Sequence, residues 1–139
     1  MIKLLIGHKG SGKTKKMIEM ANSSLDTVNG SIVYINKNAR LTYDLKYKIR
    51  VIPMDDFQEI VNVDEYIGFI YGIISQDHDI ELIFIDSILK HADIKPENME
   101  DFLARLAAIS AKYGMDFIVS VSADKEELGD YLDKYEVLN

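Results

Sequence analysis

Apolar residues along the chain fall into two recurring patterns, short continuous runs and longer segments with helical spacing. The short runs predict buried strands at residues 2–6, 31–35, 49–52, 81–86, 116–121 and, as an edge strand, 135–138. Asn29-Gly30 forms a turn into the second run, and Pro53 closes the third. Because the runs do not alternate with polar residues, they favour a parallel sheet that is covered on both faces.

The segments between these runs carry apolar residues at the three- and four-residue intervals of a helix. They predict helices over residues 13–25, 64–74, 96–113 and 126–132, with a further short helix capped by Asp55 or Asp56. Asp64 is the expected cap of the second helix, which is apolar nearly all round and is expected to pack on more than one side. Strands and helices alternate without a linker or repeat. The sequence therefore predicts a single α/β domain over residues 1–139.

Residues 7–14 lie between the first strand and the first helix and match the pattern G-x-x-x-x-G-K-[ST] completely. In such a loop the glycines let backbone N–H groups turn around a polyphosphate without a Cβ in the way. Lys13 provides a positive charge for the β- and γ-phosphates, and the Thr14 hydroxyl is a ligand for Mg²⁺. The predicted nucleotide-binding residues are Gly7, His8, Lys9, Gly10, Ser11, Gly12, Lys13 and Thr14.

A phosphate-binding loop needs a second anionic group near Mg²⁺, held at the end of a neighbouring strand. Asp86 ends the apolar run 81–86, and parallel sheets bind ligands at the carboxyl ends of their strands. We expect Asp86 to act at the metal through a coordinated water, because Mg²⁺ keeps several of its waters. A capping role between strand and helix is the alternative. Lys13 and Asp86 are thus the predicted catalytic residues, and Thr14 and Asp86 the predicted metal site.

Composition narrows the class of protein. The chain has no cysteine, which excludes disulfides, thiolate zinc sites and cysteine nucleophiles and suits a reducing cytoplasm. No apolar run is long enough to cross a bilayer, and the first strand leaves no room for a signal peptide. We therefore expect a cytoplasmic protein without a membrane partner. The three histidines do not cluster, and His8 is expected to face solvent.

The net charge of −7 disfavours binding to nucleic acid over the surface as a whole. Residues 36–50 are the exception, with five basic residues against one acid, a local charge of +4. Tyr43 and Tyr47 lie among these basic residues, and aromatic rings in such a setting can stack on bases. For this segment the alternatives are a solvated connection, or binding of a phosphorylated ligand, nucleic acid or an acidic partner.

Residues 82–88, LIFIDSI, resemble the second nucleotide-binding motif of the RecA-like ATPases, whose aspartate is commonly followed by serine and an aliphatic residue. The order of predicted elements is also similar to that family over most of the chain. The resemblance implies a three-layer α/β/α phosphate-loop NTPase with RecA-like strand order that binds ATP and Mg²⁺. It also implies a polar sensor of the γ-phosphate at Ser120 or Ser122, although these hydroxyls are equally suited to capping the next helix.

The chain departs from the family where hydrolysis is concerned. Family members carry a catalytic glutamate at the end of the second strand, whereas residues 34–38, YINKN, contain no carboxylate. Hydrolysis needs a group that orients and deprotonates the attacking water. We therefore expect a nucleotide switch with slow or partner-dependent ATPase activity, or alternatively a non-hydrolysing ATP-binding interaction module. In a homo-oligomer, a neighbouring subunit could complete the site with a basic residue such as Arg40.

Two other nucleotide-dependent functions fit the sequence less well. A small-molecule kinase would use the same loop and Mg²⁺, but no recognisable acceptor base or lid accompanies them. A GTPase would need glycine at position 89, where the chain has Leu89, and an N-K-x-D motif after a late strand. Guanine recognition is thus unsupported, and the preference for adenine comes from the family resemblance.

Overall fold

A computed structural model describes residues 1–139, apart from the side chains of Leu41 and Thr42. Six strands form one sheet: β1 (Ile2–Gly7), β2 (Ser31–Asn36), β3 (Arg50–Pro53), β4 (Ile80–Ile85), β5 (Asp116–Ser122) and β6 (Glu136–Val137). All pairs are parallel, and the spatial order is β3-β2-β4-β5-β1-β6. The central position of β5, between β1 and β4, is the strand order that the family resemblance implies. The predicted fold class is therefore confirmed.

Four α-helices connect the strands: α1 (Lys13–Ser24), α2 (Val63–Gln76), α3 (Met99–Tyr113) and α4 (Lys125–Leu128). Short 3₁₀ segments complete the connections at Ala39–Asp44, Met54–Phe57, Ile88–Lys90, Pro96–Asn98 and Asp130–Lys134. Gly114, in the left-handed region at φ +83°, ends α3 as the sequence predicts. Among the described residues, no helix is long and apolar enough to span a bilayer.

The sheet has a separate apolar cluster on each face, because neighbouring residues of a strand point to opposite sides. On one face, Leu5 of β1 packs in a cluster with Met17 and Ile18 of α1. On the other, Leu4 belongs to a larger cluster that includes side chains of α2 and α3. The three layers thus follow directly from the continuous apolar runs, since both faces of each central strand are buried.

Three local predictions differ from the structure. Helix α2 buries one face only, because Tyr71 is 45% exposed and contacts Tyr113 at the surface. Its cap is Asn62, whose side chain accepts a hydrogen bond from Glu65 N at 2.9 Å, rather than Asp64. The helix predicted at 126–132 is interrupted at Gly129, where φ is +130°.

The segment near residue 55 also starts differently from the prediction. Pro53 occupies the cap position of the 3₁₀ segment Met54–Phe57, and Asp55 and Asp56 lie in its first turn. This single turn follows β3 at once, so there is no separate capping residue between them.

The turn before β2 requires glycine because two chain segments approach very closely there. A Cβ on Gly30 would lie 1.9 Å from the backbone oxygen of Asp79. That oxygen accepts a hydrogen bond from Ser31 N at 2.8 Å, and Glu81 Oε1 accepts from Gly30 N at 2.9 Å. The register between β2 and β4 begins at this contact.

We predict that Gly30→Ala lowers the free energy of unfolding by roughly 1–3 kcal/mol, because the backbone at Asp79 must move to admit the methyl group. Urea denaturation of the purified variant measures the change. Gly72→Ala in α2 is the matched control, since its Cβ would meet nothing within 4 Å. That variant should gain about 0.5–1 kcal/mol from reduced backbone entropy of the unfolded chain. Equal effects of the two substitutions would contradict the close approach at Gly30.

Candidate phosphate-binding site

The loop between β1 and α1 is open on its concave side. Gly10 and Gly12 adopt left-handed φ values of +85° and +86°, and a Cβ on either would meet nothing within 4 Å. Gly12 is the residue that precedes α1, and no side chain caps the helix. The unpaired N–H groups of the first turn therefore face the loop, which is an arrangement suited to an anion.

Lys13 lies beneath this loop and is only 7% exposed. Its ammonium donates hydrogen bonds to the backbone oxygens of Gly7 at 2.9 Å and His8 at 2.7 Å. A longer contact of 3.3 Å joins it to Ser11 Oγ. Burial lowers the pKa of Lys13, while the negative charge of Asp86 acts in the opposite direction. The loop thus holds one cation at its base.

Asp86 follows the last residue of β4 and is 3% exposed. Its Oδ1 accepts hydrogen bonds from Thr14 Oγ1 at 3.2 Å and Ser120 Oγ at 2.8 Å. Its Oδ2 accepts from the Tyr34 hydroxyl at 2.8 Å. Hydrogen-bond donors from α1, β2 and β5 therefore hold one buried carboxylate in place, as a buried charge requires.

Side chains of alternate strand residues bring these groups to one face of the sheet. Tyr34 and Phe84 stack with ring centroids 5.7 Å apart in the cluster beneath α1. The positions two residues later, Asn36 and Asp86, share that face because strand side chains repeat every two residues. The polar ends of β2 and β4 consequently lie under the first turn of α1, which carries Thr14.

Ser87 has an unusual backbone conformation next to the site. Its φ of +60° lies in the left-handed region, which costs a non-glycine residue on the order of 1 kcal/mol. In this conformation Ser87 N donates to Ser120 Oγ at 2.6 Å, and Ser87 Oγ lies 3.3 Å from Asp86 Oδ1. Ser120 thereby joins the ends of β4 and β5.

The residues predicted from the sequence are therefore partly brought together. Lys13, Thr14, Asp86 and Ser120 converge on one site. Ser122 lies opposite Gly7 in the pairing of β5 with β1, at the neighbouring strand end. Asp124, and neither serine, occupies the cap position of the following helix α4, so the capping alternative is not observed.

Two predicted loop residues differ in their setting. The His8 side chain is 79% exposed, as expected, and its Nδ1 lies 3.1 Å from Asp124 Oδ1. Lys9 is exposed at the rim of the loop. Neither contacts Asp86 among the interactions described, and their part in nucleotide binding stays a prediction.

Tyr34 is a site residue that the sequence analysis missed. It lies in the middle of an apolar run, where an aromatic residue is typical of a core position. Burial raises the pKa of Tyr34, and the charge of Asp86 and the hydrogen bond to it act in the same direction. The hydroxyl therefore stays protonated and donates to the carboxylate.

A small cleft of about 130 Å³ opens beside Thr14 and Asp86. Its remaining lining residues are Asn36, Lys37, Asn38, Ser87 and Lys90. Asp86 is the only carboxylate in this lining, whereas Lys37 and Lys90 contribute two ammonium groups. The cleft lining thus combines the oxygen atoms of Thr14 and Asp86 with the two ammonium groups.

These residues fit Mg²⁺ and a polyphosphate. Mg²⁺ prefers oxygen ligands and is typically bound by one or two protein groups plus substrate phosphates. The hydroxyl of Thr14 and the carboxylate of Asp86 supply such oxygens 3.2 Å apart. Among the described residues, no group of three or more histidine, aspartate or glutamate side chains could hold a metal ion.

The basic segment 36–50 begins at this cleft and is anchored to α1. Asn22 of α1 donates to the backbone oxygen of Asp44 at 2.9 Å and accepts from Lys46 N at 2.8 Å. Leu45 and Ile49 are buried, whereas Tyr43 and Tyr47 are 96% and 91% exposed. The segment therefore presents two aromatic rings to solvent from a fixed base.

His91, which flanks the Asp86 strand, is buried on the opposite side of the sheet from α1. Its Nδ1 lies 3.1 Å from the hydroxyl of Tyr66, and its Nε2 has no hydrogen-bond partner among the described residues. Burial lowers the pKa of His91 from its ordinary value of 6.5 to about 4, although Asp86 opposes this effect. His91 is thus a neutral core residue at physiological pH, separate from the phosphate-binding loop.

Comparison with solved structures shows a RecA-like fold. One structure that this chain resembles is the KaiC-like protein PH0186 from Pyrococcus horikoshii OT3, with a TM-score of 0.61 and 20% sequence identity. The similarity covers 94% of this chain and 64% of that protein, so this chain spans less than two thirds of its length. No protein-family model and no curated protein matches the chain. At this identity the likeness shows the fold alone.

We predict that protonation of His91 destabilises the protein in acid. Because its folded-state pKa lies below its unfolded-state pKa, the unfolded chain takes up the proton first. The free energy of unfolding should fall as the pH drops from about 6.5 to about 4. The loss should be on the order of 3 kcal/mol, at about 1.4 kcal/mol per pH unit.

Urea denaturation at a series of pH values from about 7.5 to about 4 compares the stability of the wild type with that of His91→Phe. The variant keeps a ring at this position but cannot take up a proton, so its stability should vary less with pH. His78→Gln is the control, since His78 is exposed. Parallel pH profiles for the wild type and His91→Phe would contradict the assignment.

Proposed function

We propose that this chain is a Mg-ATP-binding phosphate-loop domain that acts as a nucleotide switch, with slow or partner-dependent hydrolysis. The observation that carries the proposal is the contact between Thr14 Oγ1 and Asp86 Oδ1 at 3.2 Å, beside the buried ammonium of Lys13. These groups come from sequence positions 72 residues apart, and the parallel sheet brings the carboxyl ends of β1 and β4 to the same edge. The RecA-like fold supports the same function.

In this proposal each group has a distinct role. The backbone N–H groups of the loop and the Lys13 ammonium bind the β- and γ-phosphates. Thr14 and Asp86 would hold Mg²⁺, and Asp86 would do so through one of the waters that the ion keeps. The bound metal would neutralise phosphate charge. Tyr34 and Ser120 keep the Asp86 carboxylate oriented by donating to it.

The side chains that line the cleft are the reason why we propose slow hydrolysis. A general base must lie within hydrogen-bond reach of the water that it deprotonates. Asp86 is the only carboxylate that lines the cleft, and its oxygens already accept hydrogen bonds from neighbouring side chains. Asn36 ends β2, where the RecA-like ATPases carry glutamate, and an amide is not a base. The same observation favours the second candidate, an ATP-binding interaction module that does not hydrolyse its ligand.

Either version places the partner contact at the basic segment 36–50. The segment shares residues with the cleft at one end and is tied to α1 by Asn22 further along. A ligand that moves α1 at its first turn would therefore also shift the part of the segment that carries Tyr43 and Tyr47. Its charge and exposed rings suit an anionic partner, which includes the acidic surface of a second copy of this chain.

We predict that Lys13→Ala weakens Mg-ATP binding by roughly ten- to hundredfold, the effect of removing one charge-assisted contact. Isothermal titration calorimetry measures the affinity, and thermal unfolding without nucleotide checks that the fold survives. Lys112→Ala is the matched control, because Lys112 lies in the last turn of α3 and is exposed. Equal affinities of Lys13→Ala and the wild type for Mg-ATP would disprove the proposal.

We further predict that the nucleotide recovered from the protein after incubation with equimolar Mg-ATP is mainly intact ATP. The physical reason is the absence of a second carboxylate in the cleft lining. Separation from free nucleotide and chromatography of the bound fraction identify it. Rapid accumulation of ADP that is lost in Asp86→Ala would show that another group replaces the base. That result would reject slow intrinsic hydrolysis while leaving nucleotide binding intact.

A further inference from the structure

Asn36 is a buried polar side chain for which the described residues offer no partner. It is 4% exposed, and neither its Nδ2 nor its Oδ1 has a hydrogen-bond partner among them. A buried donor or acceptor that is left unsatisfied destabilises the folded protein. Such groups are rare in native proteins, and they are typical of sites where a ligand or an ordered water supplies the partner. The amide of Asn36 therefore points to an occupant of the cleft that it lines.

The surroundings of Asn36 indicate the charge of that occupant. Lys37 and Lys90 line the same cleft, and neither has an ion pair among the described side chains. Lys90 also lies close enough to Lys13 to contribute to the lowering of its pKa, after the larger effect of burial. Ammonium groups that approach one another in this way favour an anion between them. Asp86, the only acid in the lining, is already hydrogen-bonded by its neighbours.

The position of the cleft indicates which part of a ligand it would receive. It lies beside Thr14 in the first turn of α1 and Asp86 just after the end of β4. Because Thr14 and Asp86 form one wall, the group in the cleft would be the phosphate that lies beyond the loop.

We propose that this cleft binds the terminal phosphate of a nucleoside triphosphate and that Asn36 and Lys90 discriminate triphosphate from diphosphate. This inference rests on the function proposed above. The Nδ2 group of Asn36 donates to a phosphate oxygen, and the Lys90 ammonium neutralises part of its charge. A carboxylate at position 36 would repel the same oxygens. The asparagine therefore serves retention of the intact triphosphate, and the triphosphate-bound form is the state that the switch presents to a partner.

The test compares the affinities for Mg-ADP and for the Mg complex of an ATP analogue with a β,γ-imido bridge, which resists hydrolysis. Isothermal titration calorimetry is performed on the wild type, Asn36→Ala, Asn36→Asp and Lys90→Gln. The wild type should prefer the analogue. Asn36→Ala should reduce that preference roughly tenfold at unchanged affinity for Mg-ADP, the effect of one hydrogen bond to a charged group.

The other variants separate a ligand contact from a structural effect. Asn36→Asp keeps the size of the side chain and should weaken analogue binding more than Asn36→Ala does, because it places a negative charge beside phosphate. Lys90 is exposed, so Lys90→Gln should keep the stability of the wild type while the preference falls several-fold. Asn29→Ala, at the opposite end of β2, is the matched control and should change neither affinity. Thermal unfolding without nucleotide monitors the fold of each variant.

The outcomes distinguish this inference from the proposed function. A wild type that binds neither nucleotide would reject both. A wild type that binds both nucleotides, with a preference that Asn36→Asp and Lys90→Gln leave unchanged, would reject this inference alone. In that case an ordered water satisfies Asn36. If Asn36→Ala loses affinity equally for both nucleotides, Asn36 supports the structure of the loop, and its role in discrimination is likewise overturned.

Discussion

The carboxylate of Asp86 accepts hydrogen bonds from three other elements, through Thr14 on α1, Tyr34 on β2 and Ser120 on β5. A buried charge is costly unless such donors surround it, so these contacts constrain where the elements can lie. They are available together only because β4 pairs with β2 on one side and β5 on the other. The strand order and the geometry of the site are therefore linked by one constraint, which is that protein groups must hydrogen-bond a single buried carboxylate.

Much of the fold could be predicted because both faces of each central strand are apolar. The continuous runs gave no alternation, which excluded a half-exposed sheet, and the strand order followed from resemblance and not from periodicity. Helix α2 shows where the pattern fails. Tyr71 counts as apolar in a periodicity, yet its ring lies at the surface against Tyr113. The choice of Asn62 over Asp64 as the cap likewise depends on where Val63 enters the helix, and both residue types cap equally well.

Some residues of the candidate site could also be predicted from the sequence, whereas others depend on the strand register. The loop motif predicted Lys13 and Thr14, and the end of the apolar run 81–86 predicted Asp86, because phosphate and metal binding require those residue types. Ser120 was distinguishable from Ser122 only by strand register, which pairs Ile85 with Val119 and so places residue 120 beside Asp86. Sequence patterns do not contain that register. The roles of Tyr34 and Asn36 also depend on it, since both are reached by following one strand face to its end.

The ammonium of Lys13 forms hydrogen bonds with the backbone of the phosphate-binding loop itself. It donates to the backbone oxygens of Gly7 and His8, so the charge is partly satisfied within the protein. In the proposed function, a phosphate bound at the loop would compete with these two carbonyl groups for the ammonium, and its affinity would reflect the difference between two sets of hydrogen bonds. This internal competition would weaken binding of an anion that offers a single oxygen. A polyphosphate that meets the loop at several points would recover the loss.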